Sequence, residues 1–590
     1  MFKDVRSFIE ELERRGELVR IKTEVDPNQE ITIIQHRVLK QGGPALLFEK
    51  VKGSPYRLVS NLFGTKERVE LVLGRSPAAI GEELVQLADE LMPPSLQKVW
   101  KQRKKLLRLL KARMKTVRSG AVLESVAEPA NLMQLPVLTC WPEDGGPFFT
   151  LPLVHTADPE SGVGNMGIYR LQRYDDCSTG MHWQIEKGGG FHFKKAIKKE
   201  QALPISVVLG GPPALTLAAI APLPEGIDER LLAALILGEP LEVLNRKTTG
   251  HKVSAHAEFI LEGSVKPNDE QKEGPFGDHL GHYSHSAHFP VFRVDRVLAR
   301  KDAIYPATVV GKPPQEDFYI GNALQEMCVP LLKMIKPGIV DLWSYAETGF
   351  HPLAVLSVDE RYGLESLKYA LSILGEGQLS LTKVLIVVDA NVNVRDFKEV
   401  SQALREHLDP RDGLHLLSPT AQDTLDFTGS SMNVGSRLIL LANQKKTSPL
   451  REAPPPISST EKIHSSISAL RSFGEGVLVA QVKEGANRKK IEKALAKHST
   501  AKQYLIHVLV SEDVDLESDM MTLWGWFTRF DPDLDLHPAS QEIVGNKLIL
   551  NPPLLIDATW KEGYRKPVAF DPEIEKKVNN RWPEYQIPEE

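Results

Sequence analysis

Residues 273–278 read Glu-Gly-Pro-Phe-Gly-Asp, two carboxylates inside one loop that also holds two glycines and a proline. Such a loop folds back on itself, which lets Glu273 and Asp278 face each other, and one ionised carboxylate then raises the pKa of its neighbour. A carboxylic acid still protonated near neutral pH is a usable proton donor. The same two residues would equally serve to cap or solvate a turn. About a hundred residues upstream stands Asn165-Met-Gly-Ile-Tyr-Arg170. Arg170 cannot lose its proton, and its planar fork suits either a substrate carboxylate or Glu273, although a strand arginine is also commonly a surface ion pair.

These groups need elements that aim them together. If 162–173 is one regular strand, Asn165 and Arg170 point to opposite faces, so irregular geometry is expected there, with a bulge at Gly164 or Gly167. The chain opens with Phe2, Val5, Phe8, Ile9 and Leu12 at helical spacing before Gly16, which predicts an amphipathic helix followed by a strand at Leu18 to Ile21. From Gly120 to about residue 325 short apolar runs alternate with Gly and Pro, the pattern of a β-barrel-like domain. Beyond it, runs such as Val384-Leu-Ile-Val-Val-Asp389 alternate with helical patterns, which implies parallel α/β layers. This part is repeated at an offset of about 122 residues: Lys383 to Asp389, Asn393 to Asp396 and Asp409-Pro410 have counterparts in Tyr504 to Val510, Asp515 to Asp519 and Asp531-Pro532. The expected fold is therefore α/β (α+β). An N-terminal α/β domain covers 1–120 and a central split β-barrel 121–325, followed by two C-terminal α/β copies, 326–450 and 457–590, the second carrying the tail.

The loop at 273–278, the motif at 165–170 and Glu229 in Pro222-Leu-Pro-Glu-Gly-Ile-Asp-Glu229 resemble, in order and spacing, the UbiD family of decarboxylases. The similarity runs from the first residues to about residue 440. The resemblance implies prenylated FMN as cofactor and Arg170, Glu273 and Asp278 as the catalytic trio, with either acid returning a proton and Asp278 favoured by analogy. It implies Asn165 and Glu229 as ligands of Mn²⁺ or Mg²⁺ that bridges to the flavin phosphate, a hard oxygen site rather than a zinc site, with potassium nearby. Ile168, Tyr169 and Arg170, and His182, Trp183, Gln184, Lys187 and Gly188 in the run Met181 to Gly190, become cofactor contacts. Some relatives carry a metal-binding histidine where Gly188 stands, which leaves the third protein ligand open. Within the family the chain looks like the quinone-biosynthesis branch, acting on 4-hydroxy-3-polyprenylbenzoate or, by its length, a dihydroxynaphthoate on the route to menaquinone. Partners so implied are an aromatic carboxylic acid, a flavin prenyltransferase as cofactor supplier, and further copies of the chain in a dimer or hexamer.

Composition constrains the alternatives. With 590 residues, 42% hydrophobic and 25% charged, the chain has the make-up of a globular protein of several domains. A formal charge of −5 gives no global attraction to nucleic acid. Cys140, Cys177 and Cys328 are too few and too scattered for a disulfide framework or a zinc ribbon, which fits a reducing cytoplasm. The N-terminus lacks a signal-peptide core and no run of 18 apolar residues occurs, so a membrane-spanning protein is not expected. No GxGxxG or GxxxxGK[ST] follows a strand, and Leu209-Gly-Gly-Pro-Pro213 has prolines where helix N–H groups would be needed.

Two features support rival readings. Residues 98–118 carry ten Lys/Arg and no Asp or Glu, with Val99, Trp100, Leu106, Leu107, Leu109, Leu110 and Met114 interleaved. As one basic amphipathic helix this stretch would bind nucleic acid or lie on an anionic membrane, peripheral to the inner membrane, or pack its leucines onto the protein. His279, His282, His285 and His288 recur every third residue, the mark of a His-rich metallohydrolase or simply of a polar loop beside the site with His279 touching Asp278.

Overall fold

The computed structural model describes residues 1–92, 95–183, 188–223, 226–443 and 451–588. Contacts divide it into two compact units, Met1–Met327 with Lys566–Glu590, and Cys328–Arg565. No described helix is long and apolar enough to cross a membrane.

In the first unit the opening helix, Val5–Arg14, starts where the Asp4 carboxylate accepts the Ser7 N–H at 2.8 Å and buries Val5, Phe8, Ile9 and Leu12. It ends at Gly16, whose φ of +75° a side chain would resist. Strands Leu18–Val25, Ala45–Val51 and Arg57–Ser60 follow, and Ile304–Pro306 completes their four-stranded sheet from far along the chain. The residues after 565 return to this unit, where Glu30, buried, accepts Tyr585 Oη at 2.7 Å and Lys577 Nζ at 2.9 Å and is paired with Arg581.

The basic stretch is not one helix. Ser95 caps a short helix, Leu96–Lys101, a second follows at Arg103–Leu109, and Met114–Val117 is a strand paired in parallel with Leu241–Asn245. Thr116 and Val117, β-branched, leave the helix where that neighbouring strand offers them a ladder. Trp100, Leu107 and Leu110 remain exposed rather than packed on the protein.

Seven strands form the main sheet. Its core comprises β1 (Leu153–Ala157), β2 (Gly164–Ile168), β3 (Leu203–Leu209), β4 (Phe259–Glu273) and β5 (Ala287–Ala299). Among the described residues this sheet runs as an open path and does not close into a barrel. Two helices matter for the site, α1 (Gly188–Lys198) and α2 (Glu229–Leu237).

The second unit contains the repeat. The first copy has β6 (Ile339–Ser344), β7 (Leu353–Val358), β8 (Val384–Asp389), α3 (Phe397–His407), α4 (Pro410–Gly413), β9 (Leu414–Ala421) and β10 (Val434–Ala442). The second has β11 (Ile467–Phe473), β12 (Val477–Val482), β13 (Ile506–Ser511), α5 (Asp519–Phe527), α6 (Pro532–Asp535), β14 (Leu536–Val544) and β15 (Lys547–Ala558). The sheets run β6-β7-β8-β10-β9 and β11-β12-β13-β15-β14, the same order with the same parallel and antiparallel pairings. Asp409-Pro410 and Asp531-Pro532, counterparts in the repeat, each start a one-turn helix: each aspartate is the N-cap and each proline the first helical residue, where a missing N–H costs nothing.

Candidate active site

Arg170 lies between two acids. Its Nε donates to Glu273 Oε1 at 3.0 Å, its Nη1 is paired with Asp278 Oδ2, and its Nη2 donates to Ser284 Oγ at 3.0 Å. Phe276 lies under the guanidinium, 4.9 Å from ring centroid to Cζ. The chain reaches this geometry by breaking a strand. β2 pairs regularly with β1 through Gly164, Gly167 and Ile168, and after Tyr169-Arg170 the next residues, Leu171-Gln172, pair with Phe149-Phe148 instead. The expected bulge at Gly164 or Gly167 is therefore replaced by a change of strand partner at 169–170. Gly167 serves a different purpose, since a Cβ there would sit 2.6 Å from Tyr169 Cζ and only glycine admits that ring.

Glu273 ends β4 opposite Ala287 and is fully buried. Its Oε1 also accepts from His182 Nδ1 at 2.9 Å, while Oε2 has no hydrogen-bond partner among the described residues. Gly180 makes room for it, since a Cβ there would lie 3.1 Å from Oε2 and 2.8 Å from Tyr174 Oη. The loop beyond is clamped from several sides. Gly274 N–H donates to Gln172 Oε1 at 2.8 Å, Phe276 N–H to Ser284 Oγ at 3.2 Å, and Gly277 N–H to Asp144 Oδ1 at 2.8 Å. Asp144 Oδ2 takes the N–H groups of Cys140 and Trp141 at 3.0 and 2.9 Å.

The two acids do not raise each other's pKa as the loop alone suggested. Burial pushes Glu273 up, but His182 and Arg170 outweigh it and hold the group below the ordinary value. Burial likewise opposes ionisation of Asp278, but Arg170 and His279 hold it well below the usual carboxylate range. A cation stands between the acids, so charge attraction replaces the repulsion expected from two facing carboxylates. Asp144, by contrast, is displaced upward, to about 7, because burial outweighs three backbone donors and Arg170.

A second cluster adjoins the first through β2. Glu229, the first residue of α2, accepts the Met166 N–H at 2.8 Å, next in sequence to Asn165. Burial, with Asp228 beside it, raises Glu229 to about 7. A Cβ on Gly188 would fall 2.1 Å from Asn165 Oδ1, so the amide occupies the space that glycine leaves. Tyr169 Oη accepts Gly189 N–H at 3.2 Å, and Trp183 Nε1, buried without a partner among the described residues, faces Gly189. An amide oxygen and a carboxylate form a hard donor pair for Mn²⁺ or Mg²⁺. The glycine-rich start of α1 is a helix N-terminus, the kind of backbone that suits an anion. With the unpartnered indole, these residues fit a flavin phosphate held through a divalent ion. Ile168 ends β2, the strand that carries Asn165, and packs against the apolar core; Gln184 and Lys187 lie outside the described residues.

The four histidines do not converge. His279 meets Asp278 Oδ1 at 2.9 Å, His282 meets the Leu280 carbonyl at 2.9 Å, and His288 is in β5 opposite Lys272. Among the described residues the one group of three or more His, Cys, Asp or Glu with metal-binding spacing is Asp175-Asp176-Cys177, two exposed carboxylates and a half-buried thiol with no histidine, so the four histidines give the metallohydrolase reading no site among them.

Three family models match the chain in series. They describe the 3-octaprenyl-4-hydroxybenzoate carboxy-lyase N-terminal domain (UbiD_N) over residues 9–88, its Rift-related domain (UbiD) over 115–313 and its C-terminal domain (UbiD_C) over 318–442. A Chlamydia pneumoniae protein, named as a subunit of 4-hydroxybenzoate decarboxylase, is 42% identical over 584 residues, 98% of each chain. Among solved structures, the vanillic acid decarboxylase of Sedimentibacter hydroxybenzoicus in closed form superposes with a TM-score of 0.67 at 25% identity, over 78% of this chain and 95% of that one. The UbiD-class enzyme HmfF of Pelotomaculum thermopropionicum, in complex with FMN, gives 0.62 at 25% identity, over 76% and 95%.

Proposed function

Because the chain belongs to the UbiD family of carboxy-lyases, we propose that it uses prenylated FMN to decarboxylate an aromatic hydroxy acid, a 4-hydroxybenzoate or dihydroxynaphthoate precursor of a quinone. The observation that carries this reading is a guanidinium clamped between two buried carboxylates, one of them with an oxygen that has no hydrogen-bond partner among the described residues. The named activity of the Chlamydia pneumoniae relative supports a hydroxybenzoate-type ring.

Arg170 is the group that receives the substrate carboxylate, because its fork is a fixed cation held between these acids. An incoming carboxylate shares that positive charge and adds a negative one. Both effects raise the pKa of Glu273, which therefore takes up a proton as substrate binds. Glu273 Oε2, without another hydrogen-bond partner among the described residues, holds that proton and delivers it to the ring carbon after CO2 has left, while His182 on Oε1 fixes the carboxyl orientation. This assigns the acid role to Glu273 rather than Asp278, whose oxygens are engaged by His279 and Arg170. Prenylated FMN, when bound, supplies the electron sink for the pair left by departing CO2. Asn165 and Glu229 would hold Mn²⁺ or Mg²⁺ against its phosphate, and a flavin prenyltransferase would supply the cofactor.

The test is co-expression with a flavin prenyltransferase and a CO2-release screen over hydroxybenzoates and hydroxynaphthoates. Glu273→Gln should abolish CO2 release and leave the bound-flavin spectrum intact. Loss of both together would make Glu273 a structural residue and remove its proposed role.

A further inference from the structure

The two C-terminal copies pack on each other through contacts that are reciprocal. In one direction α3 of the first copy meets the β11–β12 turn of the second: Ser401 Oγ donates to Phe473 O and accepts Gly476 N–H, both at 3.2 Å, and Arg405 pairs with Glu475 at 2.7 Å. In the other, α5, the counterpart of α3, packs on the 346–348 turn between β6 and β7. The one-turn helices cross over in the same way. Asp531, capping α6, accepts Ser436 N–H and Oγ of β10 at 3.0 and 2.6 Å, and Asp533 accepts Ser418 Oγ at 2.8 Å. Conversely α4 packs on β15, with Asp412 paired to Lys547 at 2.6 Å and Arg411 to Glu542 at 3.7 Å.

The apolar layers obey the same symmetry. One core is shared, with Val355, Ile386 and Leu440 from the first sheet meeting Val479, Val508 and Ile556 from the second, and Phe397 stacked on Phe473. Each copy then has a private core on its outer face, one including Ala370 and Ile373, the other Ile491 and Leu495. A surface that meets its own equivalent, with i touching j and j touching i, is the isologous pattern of a twofold dimer, and a shared core cut between two like domains is the mark of an obligate one.

We propose that the second copy is a built-in partner: it covers, within one chain, the face that the first copy would otherwise present to another molecule of the protein. The connection between β6 and β7, residues 345–352, is cut in the second copy to Gly474-Glu475-Gly476, consistent with a copy kept for its packing face. Tethering holds the partner at an effective concentration on the order of millimolar, so exchange with another chain is suppressed.

The inference is tested on the full-length chain with a short bis-maleimide and two cysteine pairs at exposed reciprocal contacts, Ser418→Cys with Asp533→Cys and Asp412→Cys with Lys547→Cys. Each pair should give a cross-linked peptide within a species of single-chain mass. Mixtures of the corresponding single-cysteine variants should give no two-chain band above the wild-type background. A two-chain band from either pair or from the mixtures, or absence of the cross-link in either pair, would overturn the proposal.

Discussion

Replacing Arg170 by methionine keeps an unbranched side chain and removes the guanidinium. In the wild-type protein the folded-state pKa values of Glu273 and Asp278 lie below their ordinary ones, burial being outweighed by His182 and Arg170 for the first and by Arg170 and His279 for the second. Groups of this kind contribute stability that is complete above the unfolded pKa of about 4 and is lost only as pH falls through the folded value. Between about pH 5 and pH 8 they contribute no slope. Without Arg170 burial dominates, the carboxylates repel, and at least one folded pKa rises above the unfolded one. The sign then reverses: stability is complete below about pH 4 and is lost as pH rises toward the folded value. A buried carboxyl raised by about 3 units, at about 1.4 kcal/mol per unit, loses about 4 kcal/mol by neutral pH. Asp144, whose charge Arg170 also favours, moves in the same direction. Glu229, raised to about 7 chiefly by burial, titrates in both proteins and cancels in the difference. Urea unfolding of wild type and Arg170→Met from about pH 5 to pH 8 should show their stability difference growing by up to about 1.4 kcal/mol per pH unit until about pH 7, where the raised carboxyl has ionised, and levelling off above it. A difference that stays constant across that window would refute the coupling of the two acids to Arg170.

Gly188→Ala puts a Cβ 2.1 Å from Asn165 Oδ1 and must push the amide aside; Mn²⁺ affinity measured by calorimetry should fall by about 10–100-fold, as for displaced ligand supports. Gly277→Ala puts a Cβ 2.1 Å from Trp141 Cδ1, and Trp141 is held in place by Phe570, stacked on it at 5.1 Å between ring centroids, and by its Nε1–H, which donates to Val310 O at 2.8 Å. Overpacking there should cost about 1–3 kcal/mol in denaturant unfolding, and CO2 release should fall with it because Asp278 is the next residue.

Much of the architecture was legible because burial writes a period into the sequence. Val5, Phe8, Ile9 and Leu12 announce the first helix, and the repeat announces two sheets of one topology. What was not legible depends on neighbours distant in sequence. The basic run looks helical throughout until Leu241–Asn245 supplies a ladder for Met114–Val117. The acids look mutually repelling until a change of strand partner turns Arg170 between them. Asp144 carries a local signal, an acidic residue before Gly145-Gly146, yet nothing nearby says that it grips Gly277. Ser284, Tyr174 and Gln172 carry none. The histidine run shows the converse, a regular spacing that a loop backbone disperses, leaving the polar loop beside the site with His279 on Asp278.

Glu30 finds Lys577, Arg581 and Tyr585 more than five hundred positions downstream. The ribosome must therefore synthesise the whole second unit before the first can be closed. During that interval a carboxylate destined for the interior waits in water without its cations, and contacts so remote in sequence form late because loop closure precedes their reward. Nascent chains stalled before residue 566 should thus expose the face of the Glu30–Lys40 helix on which the Pro572–Arg581 helix packs, and a holdase that shields it would raise the yield of the finished enzyme.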